Sequence, residues 1–308
     1  MNLDELFGGA SAPSLDCAGK RLSLDRPRIM GILNLTPDSF SDGGGFDSAD
    51  KAIAHALTMV EQGADLIDVG GESTRPDATP VSVEEELDRV IPVIEALATR
   101  LAVPISIDTS KPDVMRAAVA AGAGMINDVR ALRVDGAMQA AVALGVPICL
   151  MHMQGEPQQM QIAPHYEDVI AEVKRFLADR VFAAQLAGID KKRLLLDPGF
   201  GFGKSYEHNL ALLARLRDLC DLDQPLLVGV SRKRMIGTMI GREAANERVI
   251  GSAAAALIAA QSGAAILRVH DVAATRDALA VLVALAPFRK NKTAASSKAF
   301  GSARWEED

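Results

Sequence analysis

Polar side chains follow eight short apolar segments of the chain, each at the point where the segment ends. One group of them can bind an anion such as phosphate or diphosphate, because arginine offers parallel donors, lysine a positive charge and threonine a hydroxyl. The members of this group are Thr74, Arg75, Lys233, Arg268 and His270. A second group can accept hydrogen bonds from the N–H groups of a flat heterocycle. Its members are Asp108, Asn127 and Asp197. The sequence therefore predicts a site for a nitrogen heterocycle beside an anion.

The segment 194–205, LLLDPGFGFGKS, looks like a nucleotide-binding loop but does not have its spacing. A P-loop has glycine, four residues and then Gly-Lys-Ser/Thr, since the intervening peptide N–H groups surround the phosphates. Counting back five positions from Gly203 gives Pro198, which has no N–H. The glycine spacing does not fit the dinucleotide pattern GxGxxG either. We therefore expect no ATP binding here, and take Asp197, at the end of a buried strand, as the functional residue.

The composition excludes several classes of protein. A net charge of −7 argues against nucleic acid or an anionic membrane as the main partner. Three widely spaced cysteines predict neither a disulfide framework nor a zinc site. The sequence has no GxSxG or HExxH motif, so catalysis is expected to rest on leaving-group stabilisation and positioning. With no leader-like start and no long apolar run, the expected location is the cytoplasm.

Strand-like and helix-like segments alternate along most of the chain. This alternation predicts a parallel sheet. Eight such units in residues 28–289 predict a single (β/α)8 TIM barrel, with an open doubly wound sheet as the alternative. Residues 1–27 are expected to add a small strand pair that caps the bottom of the barrel, and residues 290–308 a disordered tail. The predicted strands are Ile29–Leu33, Leu66–Val69, Pro104–Ile107, Met125–Ile126, Val146–Leu150, Leu194–Leu196, Pro225–Val230 and Ala264–Val269.

Structural alternatives exist for several of these polar residues when each is taken alone. Asp108 could cap a helix beginning near Lys111, Arg268 could pair with Asp271 at the surface, and His270 could be an ordinary loop residue. In a barrel, however, all eight strand ends meet at one edge, where active sites of this fold lie. Two long loops, Leu35–Gly45 and Ser73–Pro80, are expected to border that site. We therefore favour a functional site over eight unrelated structural roles.

Several motifs, in this order and spacing, resemble the dihydropteroate synthase family of folate-pathway enzymes, which sulfonamide drugs inhibit. The resemblance covers about residues 20–288. It is carried by MGILNLTPDSFSDGG (30–44), DVGGESTRP (68–76), SIDTSKPDV (106–114), INDV (126–129), LMHMQGEPQQMQ (150–161), DPGFGFGK (197–204), GVSRK (229–233) and RVHD (268–271).

The resemblance implies a homodimeric, magnesium-dependent barrel that joins 6-hydroxymethyl-7,8-dihydropterin diphosphate to 4-aminobenzoate and releases diphosphate. It implies that the pterin is held by Asp108, Asn127, Asp197 and Lys233. It assigns the diphosphate to Thr74, Arg75, Arg268 and His270, and the metal to Asn34. It places Phe40, Pro76 and Lys233 at the aminobenzoate, with Asp42 assisting the metal or a cationic intermediate.

Two positions depart from the family pattern, both near the expected aminobenzoate end. Asp77 stands where many members have glycine, and Arg234 where many have serine. We expect the Arg234 side chain to be a solvated surface charge, although pairing with the aminobenzoate carboxylate is the alternative. Two other functions are also compatible with the residues. One is a methyltetrahydrofolate:corrinoid methyltransferase, which shares the fold and the inward Asp/Asn set, and the other is a non-catalytic barrel that binds pterin or phosphate.

Overall fold

Eight parallel strands close into a barrel in a computed structural model of the chain, which describes residues 13–36, 45–73, 79–155, 160 and 164–288. The strands are β3 (Arg28–Asn34), β4 (Leu66–Gly70), β5 (Ile105–Asp108), β6 (Met125–Asp128), β7 (Ile148–Met151), β8 (Leu194–Asp197), β9 (Leu226–Val228) and β10 (Ala264–Val269). They neighbour one another in chain order, and β10 pairs with β3 to close the ring. A two-stranded hairpin, β1 (Ser14–Cys17) and β2 (Lys20–Ser23), precedes them.

Helices connect successive strands and cover the outside of the barrel. Within the described residues these are α1 (Gly45–Glu61), α2 (Val83–Ala98), α3 (Pro112–Ala120), α4 (Ala137–Leu144), α5 (Val169–Leu186), α6 (Tyr206–Ala214), α7 (Arg234–Ile240), α8 (Val249–Gln261) and α9 (Val272–Leu285). Local signals set several of their ends. Ser82 and Glu85 form a reciprocal capping box at the start of α2, and the Asp168 side chain caps α5.

The predicted (β/α)8 barrel is confirmed, and the open-sheet alternative is wrong because β10 and β3 are hydrogen-bonded neighbours. The predicted strand boundaries lie within two residues of those observed, and both ends of β10 are predicted correctly. Pro104 lies before β5, since proline has no N–H to give to the strand ladder. Asp108 and Asp197, expected just after their strands, are instead the last residues of β5 and β8.

The N-terminal hairpin packs against the amino ends of the barrel strands. Leu15, Cys17, Leu22 and Leu24 of this region are buried in one apolar cluster with residues of the barrel strands. Those residues are Met30, Leu66, Met125, Cys149, Leu195, Leu227, Ala265 and Ile266. A side chain at Gly124 would come within 2.4 Å of the carbonyl oxygen of Cys17, so this contact needs glycine. The hairpin closes one end of the barrel and leaves the carboxyl ends of the strands for the site.

Candidate active site

Alternation along the strands turns their polar side chains toward the barrel interior. In β5, Ile105 and Ile107 belong to the apolar layer between strands and helices, so Ser106 and Asp108 face inward. The same alternation turns other polar residues inward near the carboxyl ends of their strands. These residues are Asn34, Asp68, Asn127, Asp197 and Arg268. Strand period and barrel closure together bring side chains 200 residues apart in sequence into contact, as in the Asp68–Arg268 pair.

Arg268 lies at the centre of this group. Its Nε donates to Asp68 Oδ2 at 2.6 Å, and its Nη2 donates to Asp108 Oδ2 at 2.7 Å. Asn127 Nδ2 also donates to Asp68 Oδ2, at 3.1 Å. Arg268, which sequence analysis assigned to the anion group, is therefore bonded to the carboxylates of the heterocycle side. The two groups are one network.

Two structural alternatives raised by the sequence are wrong. Asp108 does not cap α3, because the residue before that helix is Lys111, which makes no side-chain cap. Arg268 does not pair with Asp271, whose carboxylate is bound instead by two nitrogens of Arg232, Nε at 2.9 Å and Nη2 at 2.5 Å. Both residues thus remain available to the site.

Asp68 was missed by sequence analysis as a site residue. It is fully buried in the middle of β4, not at a strand end. Among the described residues its Oδ1 has no hydrogen-bond partner, whereas Oδ2 accepts from Arg268 and Asn127. A lone acid inside the apolar segment LIDVG was the available signal, since a buried carboxylate is costly unless it is paired.

Two buried carboxylates share one guanidinium, and this shapes their titration. Burial raises the pKa of Asp108 to about 7, although Arg268 opposes the shift and the Asp68 charge reinforces it. Burial disfavours the Arg268 charge, but Asp68 and Asp108 more than compensate and raise the pKa of the guanidinium. The network therefore holds a permanent cation beside a carboxyl group that can be protonated near neutral pH.

Asp197 and Lys233 lie on the opposite side of the barrel mouth. Asp197 Oδ1 accepts the Gly199 N–H at 2.7 Å, and burial raises the pKa of its carboxyl against the opposing charge of Lys233. The Lys233 ammonium donates to the Phe200 carbonyl and lies 4.5 Å from the centre of the Phe202 ring. Burial lowers the pKa of Lys233 to about 8. This side offers an acceptor, a cation and an aromatic face together.

The glycine-rich segment after β8 follows a backbone path that only glycine permits. Gly199, Gly201 and Gly203 have φ values of +69°, +77° and +60°. A side chain at Gly199 would lie 1.8 Å from the carbonyl oxygen of His152, and one at Gly203 would lie 2.4 Å from that of Gln154. The pattern that looked like a phosphate loop thus arises from close packing against the segment after β7.

Lys204, the lysine of that supposed nucleotide loop, is a buried structural donor. Its Nζ lies 2.9 Å from His152 Nδ1, 2.9 Å from the Gly199 carbonyl oxygen and 3.0 Å from that of Phe202. Burial lowers the pKa of Lys204 well below its usual range, and burial beside Lys204 lowers the pKa of His152 to about 2. His152 is therefore neutral and accepts a hydrogen bond from the Lys204 amine at Nδ1. Together they fix the loop that carries the Phe200 carbonyl.

Asn34 was predicted as the magnesium ligand. It pairs with Gly70 across β3 and β4, and a side chain at Gly70 would fall 3.7 Å from Asn34 Oδ1 and 3.5 Å from Asp108 Cβ. Glycine keeps that space open. The described residues contain no cluster of three or more His, Cys, Asp or Glu side chains that could hold a metal. This donor set fits magnesium that takes most of its oxygen ligands from water and substrate phosphates.

The ends of the second long loop are tied to the rest of the barrel. Glu72 Oε1 accepts the Val81 N–H at 3.3 Å, and Lys111 bridges Glu72 at 2.7 Å and the fully buried Glu86 at 2.5 Å. Five predicted site residues lie outside the described residues, as does the departure at position 77. These five are Phe40, Asp42, Thr74, Arg75 and Pro76. Arg234, the other departure, is the first residue of α7 and is exposed, in line with a surface charge.

His270 follows β10 directly and is partly buried beside Arg268. Burial and then the Arg268 charge lower the pKa of its imidazole to about 4. At neutral pH His270 is consequently uncharged. It can offer a hydrogen bond to an anion, but it does not add a positive charge.

A family model described as pterin binding enzyme matches residues 30–270, the segment that contains the carboxyl ends of all eight barrel strands. The chain is 55% identical over 274 residues to a dihydropteroate synthase of Escherichia coli K12, covering 89% of this chain and 97% of that relative. The chain belongs to the dihydropteroate synthase family. This membership decides against the corrinoid methyltransferase alternative.

Solved structures of the family support the same conclusion. A dihydropteroate synthase of Xanthomonas albilineans with 4-aminobenzoic acid superposes with a TM-score of 0.85 at 64% identity, covering 89% of this chain and 98% of that one. The enzyme from the same organism in complex with 7,8-dihydropteroate gives a TM-score of 0.82 at 61% identity, with the same coverage. A Yersinia pestis enzyme in a sulfonamide complex is 52% identical, with a TM-score of 0.84, and covers 88% and 98%.

Asp108→Asn should remove one pH dependence of folding stability. An unfolded aspartate titrates at about pH 3.9, whereas the folded Asp108 titrates at about 7. A raised carboxyl pKa stabilises the protonated folded state, so this contribution is present in acid and is lost as the pH rises toward 7. Between pH 5 and 7 the wild type should lose about 2 kcal/mol of unfolding free energy that the variant keeps, measured with urea. Equal pH slopes in the two proteins would contradict the raised pKa.

Lys204→Met should lower the free energy of unfolding by about 1–3 kcal/mol, because two buried carbonyls lose their donor. The matched control is Lys174→Met, which removes a partly exposed lysine paired with the exposed Asp221 at 2.7 Å. That change should cost less than about 1 kcal/mol. Urea unfolding measures the free energy of unfolding of both variants. Equal losses in the two variants would show that Lys204 is not a structural donor.

Proposed function

We propose that the barrel mouth binds 6-hydroxymethyl-7,8-dihydropterin diphosphate and 4-aminobenzoate and joins them into 7,8-dihydropteroate with release of diphosphate. This is the dihydropteroate synthase reaction, a transferase step of folate biosynthesis that belongs to the family of this chain. The observation that carries the proposal is the buried network of Asp68, Asp108, Asn127 and Arg268 at the strand ends. Buried acceptors of this kind suit a flat heterocycle rich in N–H groups.

The pterin is bound between the two sides of the mouth. Asp108, Asn127 and Asp197 accept hydrogen bonds from its amino and ring N–H groups, and Lys233 donates to its acceptor atoms. Because the carboxylates are already buried and bonded, little reorganisation is needed when the ring enters. Phe40 and Pro76 complete the pocket for the aminobenzoate together with Lys233, whose ammonium also attracts the carboxylate of that substrate.

The chemistry consists of one bond breaking and one forming at the pterin methylene. The C–O bond to diphosphate breaks with both electrons going to oxygen, while the electron-rich dihydropterin stabilises the positive carbon. The amine nitrogen of 4-aminobenzoate then forms the C–N bond and gives up a proton to solvent. Arg268, His270, Thr74 and Arg75 stabilise the departing charge, so a strong general base is not required.

Magnesium, when bound, would neutralise the diphosphate and assist its departure. Asn34 would hold it through Oδ1, and Asp42 would assist the metal or the cationic intermediate. Asn34 is the last residue of β3, so its side chain is held by the sheet and not by a loop. Gly70, which has no side chain, lies beside Asn34 Oδ1 and leaves that oxygen accessible to a ligand.

The protein is proposed to act as a cytoplasmic homodimer that binds small molecules and not nucleic acid. Large apolar side chains are exposed on α7, α8, α9 and the turn after α9. They are Met239, Ile240, Ile250, Ile258, Val281, Val283, Leu285 and Phe288. Such a patch on neighbouring helices favours a subunit interface, and sedimentation velocity should show a dimer.

The cytoplasmic location is supported by the three cysteines, which are free thiols, as in a reducing compartment. None of the helices in the described part of the chain combines the length and the hydropathy of a membrane span.

The direct test is a reaction of the purified protein with the dihydropterin diphosphate, 4-aminobenzoate and magnesium. Dihydropteroate and diphosphate should appear in equal amounts, should require both substrates and should decrease when magnesium is chelated. Pterin binding without any product would instead indicate a non-catalytic barrel. Methyl transfer from methyltetrahydrofolate to a corrinoid would reinstate the methyltransferase alternative.

Asp197→Ala should weaken binding of a diphosphate-free pterin by about 2–4 kcal/mol, because a buried, charge-assisted acceptor is lost. Asp197→Asn should lose less, since it keeps the shape and one acceptor oxygen. Titration calorimetry with a pterin analogue measures both. Unchanged affinity in the alanine variant would show that Asp197 does not contact the pterin.

A further inference from the structure

Ser231 contacts His270 through two atoms. The Ser231 Oγ accepts the backbone N–H of His270 at 3.1 Å and lies 3.1 Å from His270 Nδ1. Ser231 itself is buried, with 5% of its surface exposed. Among the described residues, its hydroxyl has no further hydrogen-bond partner. One side chain from the loop after β9 thus contacts both the backbone and the ring of the residue after β10.

Proton counting assigns the direction of the second hydrogen bond. The hydroxyl has one proton and two acceptor positions, and the backbone N–H of His270 already occupies one acceptor. If Nδ1 also donated to Oγ, the buried hydroxyl proton would have no acceptor within the described residues, which costs free energy. If the hydroxyl donates to Nδ1, every group is satisfied. The ring proton of neutral His270 must then be on Nε2.

Burial is the largest cause that lowers the pKa of His270 and keeps it neutral, and its charged neighbours contribute as well. Arg268, Arg232 and Lys233 all oppose a charge on the imidazole, and the Asp271 carboxylate favours one. The Asp271 charge is already engaged by the bidentate Arg232 pair. A neutral ring has one donor and one acceptor nitrogen, so which nitrogen donates decides whether His270 can bind an anion.

The backbone beside Ser231 is fixed on both sides. Arg232 adopts a left-handed conformation, φ +58°, which is uncommon for a residue other than glycine. Its N–H donates to Ser252 Oγ at 2.8 Å, and its carbonyl accepts from Arg248 Nη1 at 2.8 Å. The Arg232–Asp271 pair joins the same two loops that Ser231 and His270 join. The Ser231 hydroxyl is therefore held at a constant position relative to the imidazole.

We propose that Ser231 is a positioning residue that holds His270 as the Nε2–H tautomer, so that the imidazole presents an N–H donor to the departing diphosphate. This inference rests on the proposed function for its substrate, but not for its geometry. Ser231 does not contact the reacting atoms. It acts through His270, as a hydrogen-bonded carboxylate or carbonyl selects the tautomer of a catalytic or metal-binding histidine.

The test compares Ser231→Ala with Ser231→Thr, which keeps the hydroxyl, and with Ser252→Ala, which removes a buried hydroxyl that holds the same loop through the Arg232 N–H. Circular dichroism confirms that each variant folds. Nitrogen-15 NMR of ¹⁵N-histidine protein reads the ring tautomer, with His270→Gln used to assign the signal. Calorimetry measures the affinity for inorganic diphosphate, and steady-state assays separate kcat from KM.

In the wild type, the ring proton should be on Nε2. Ser231→Ala should give a mixture of the two tautomers. Its affinity for inorganic diphosphate and its kcat should each be about 3–10-fold lower than in the wild type. Its KM for the dihydropterin diphosphate should stay within about twofold of the wild-type value. Ser231→Thr and Ser252→Ala should keep the Nε2–H tautomer. A wild-type proton on Nδ1, or an unchanged tautomer in Ser231→Ala, would overturn the proposal. A wild type that shows the Nε2–H tautomer and binds diphosphate but forms no dihydropteroate would instead overturn the proposed function. The NMR spectrum and the diphosphate titration do not depend on turnover, so the two failures are distinguishable.

Discussion

The arrangement of the site depends on one guanidinium placed between two buried carboxylates. Arg268 projects from β10, whereas Asp68 and Asp108 project from β4 and β5, with β3 between them in the ring. Removing one partner of such a buried pair generally costs about 3–5 kcal/mol, because the remaining charge loses its compensation. Closure of the barrel and assembly of the site are therefore linked. The acceptors that suit a pterin are fixed before any ligand arrives, as electrostatic preorganisation requires.

A second constraint acts on the opposite side of the mouth, where a loop is held by a buried amine. Lys204 satisfies two loop carbonyls, and Tyr166 Oη donates to the Gly203 carbonyl at 2.8 Å. Asn209 accepts the Gly201 N–H at 2.7 Å and donates to the Ser205 carbonyl at 2.6 Å. These side chains satisfy the peptide groups that water would hydrogen-bond in an exposed loop. The loop can therefore present the Phe200 carbonyl to Lys233 in one position.

Strand period and chain alternation made the barrel and most strand-end residues predictable from the sequence. That reasoning finds Asp108, Asn127, Asp197 and Arg268, because a polar residue near the end of an apolar segment can be identified from the sequence alone. Asp68 was not found, because its role depends on Arg268, 200 positions away, which only barrel closure brings near. Lys204 was considered only as the lysine of a nucleotide-binding loop, which the spacing of the sequence excluded. Its partners His152, Gly199 and Phe202 are set by a left-handed glycine path that spacing rules do not encode.

The remaining question is how one arginine can serve both the pterin and the diphosphate. A guanidinium has five N–H donors in a planar fork. Within the described residues, Asp68 takes the Nε–H and Asp108 takes one Nη2–H, which leaves three donors for a ligand. In the proposed reaction Arg268 can therefore bind the diphosphate without releasing either carboxylate. Its charge is already compensated by those carboxylates, so it holds the anion by directional hydrogen bonds more than by net attraction. Weak net attraction suits a leaving group that must depart after the bond breaks.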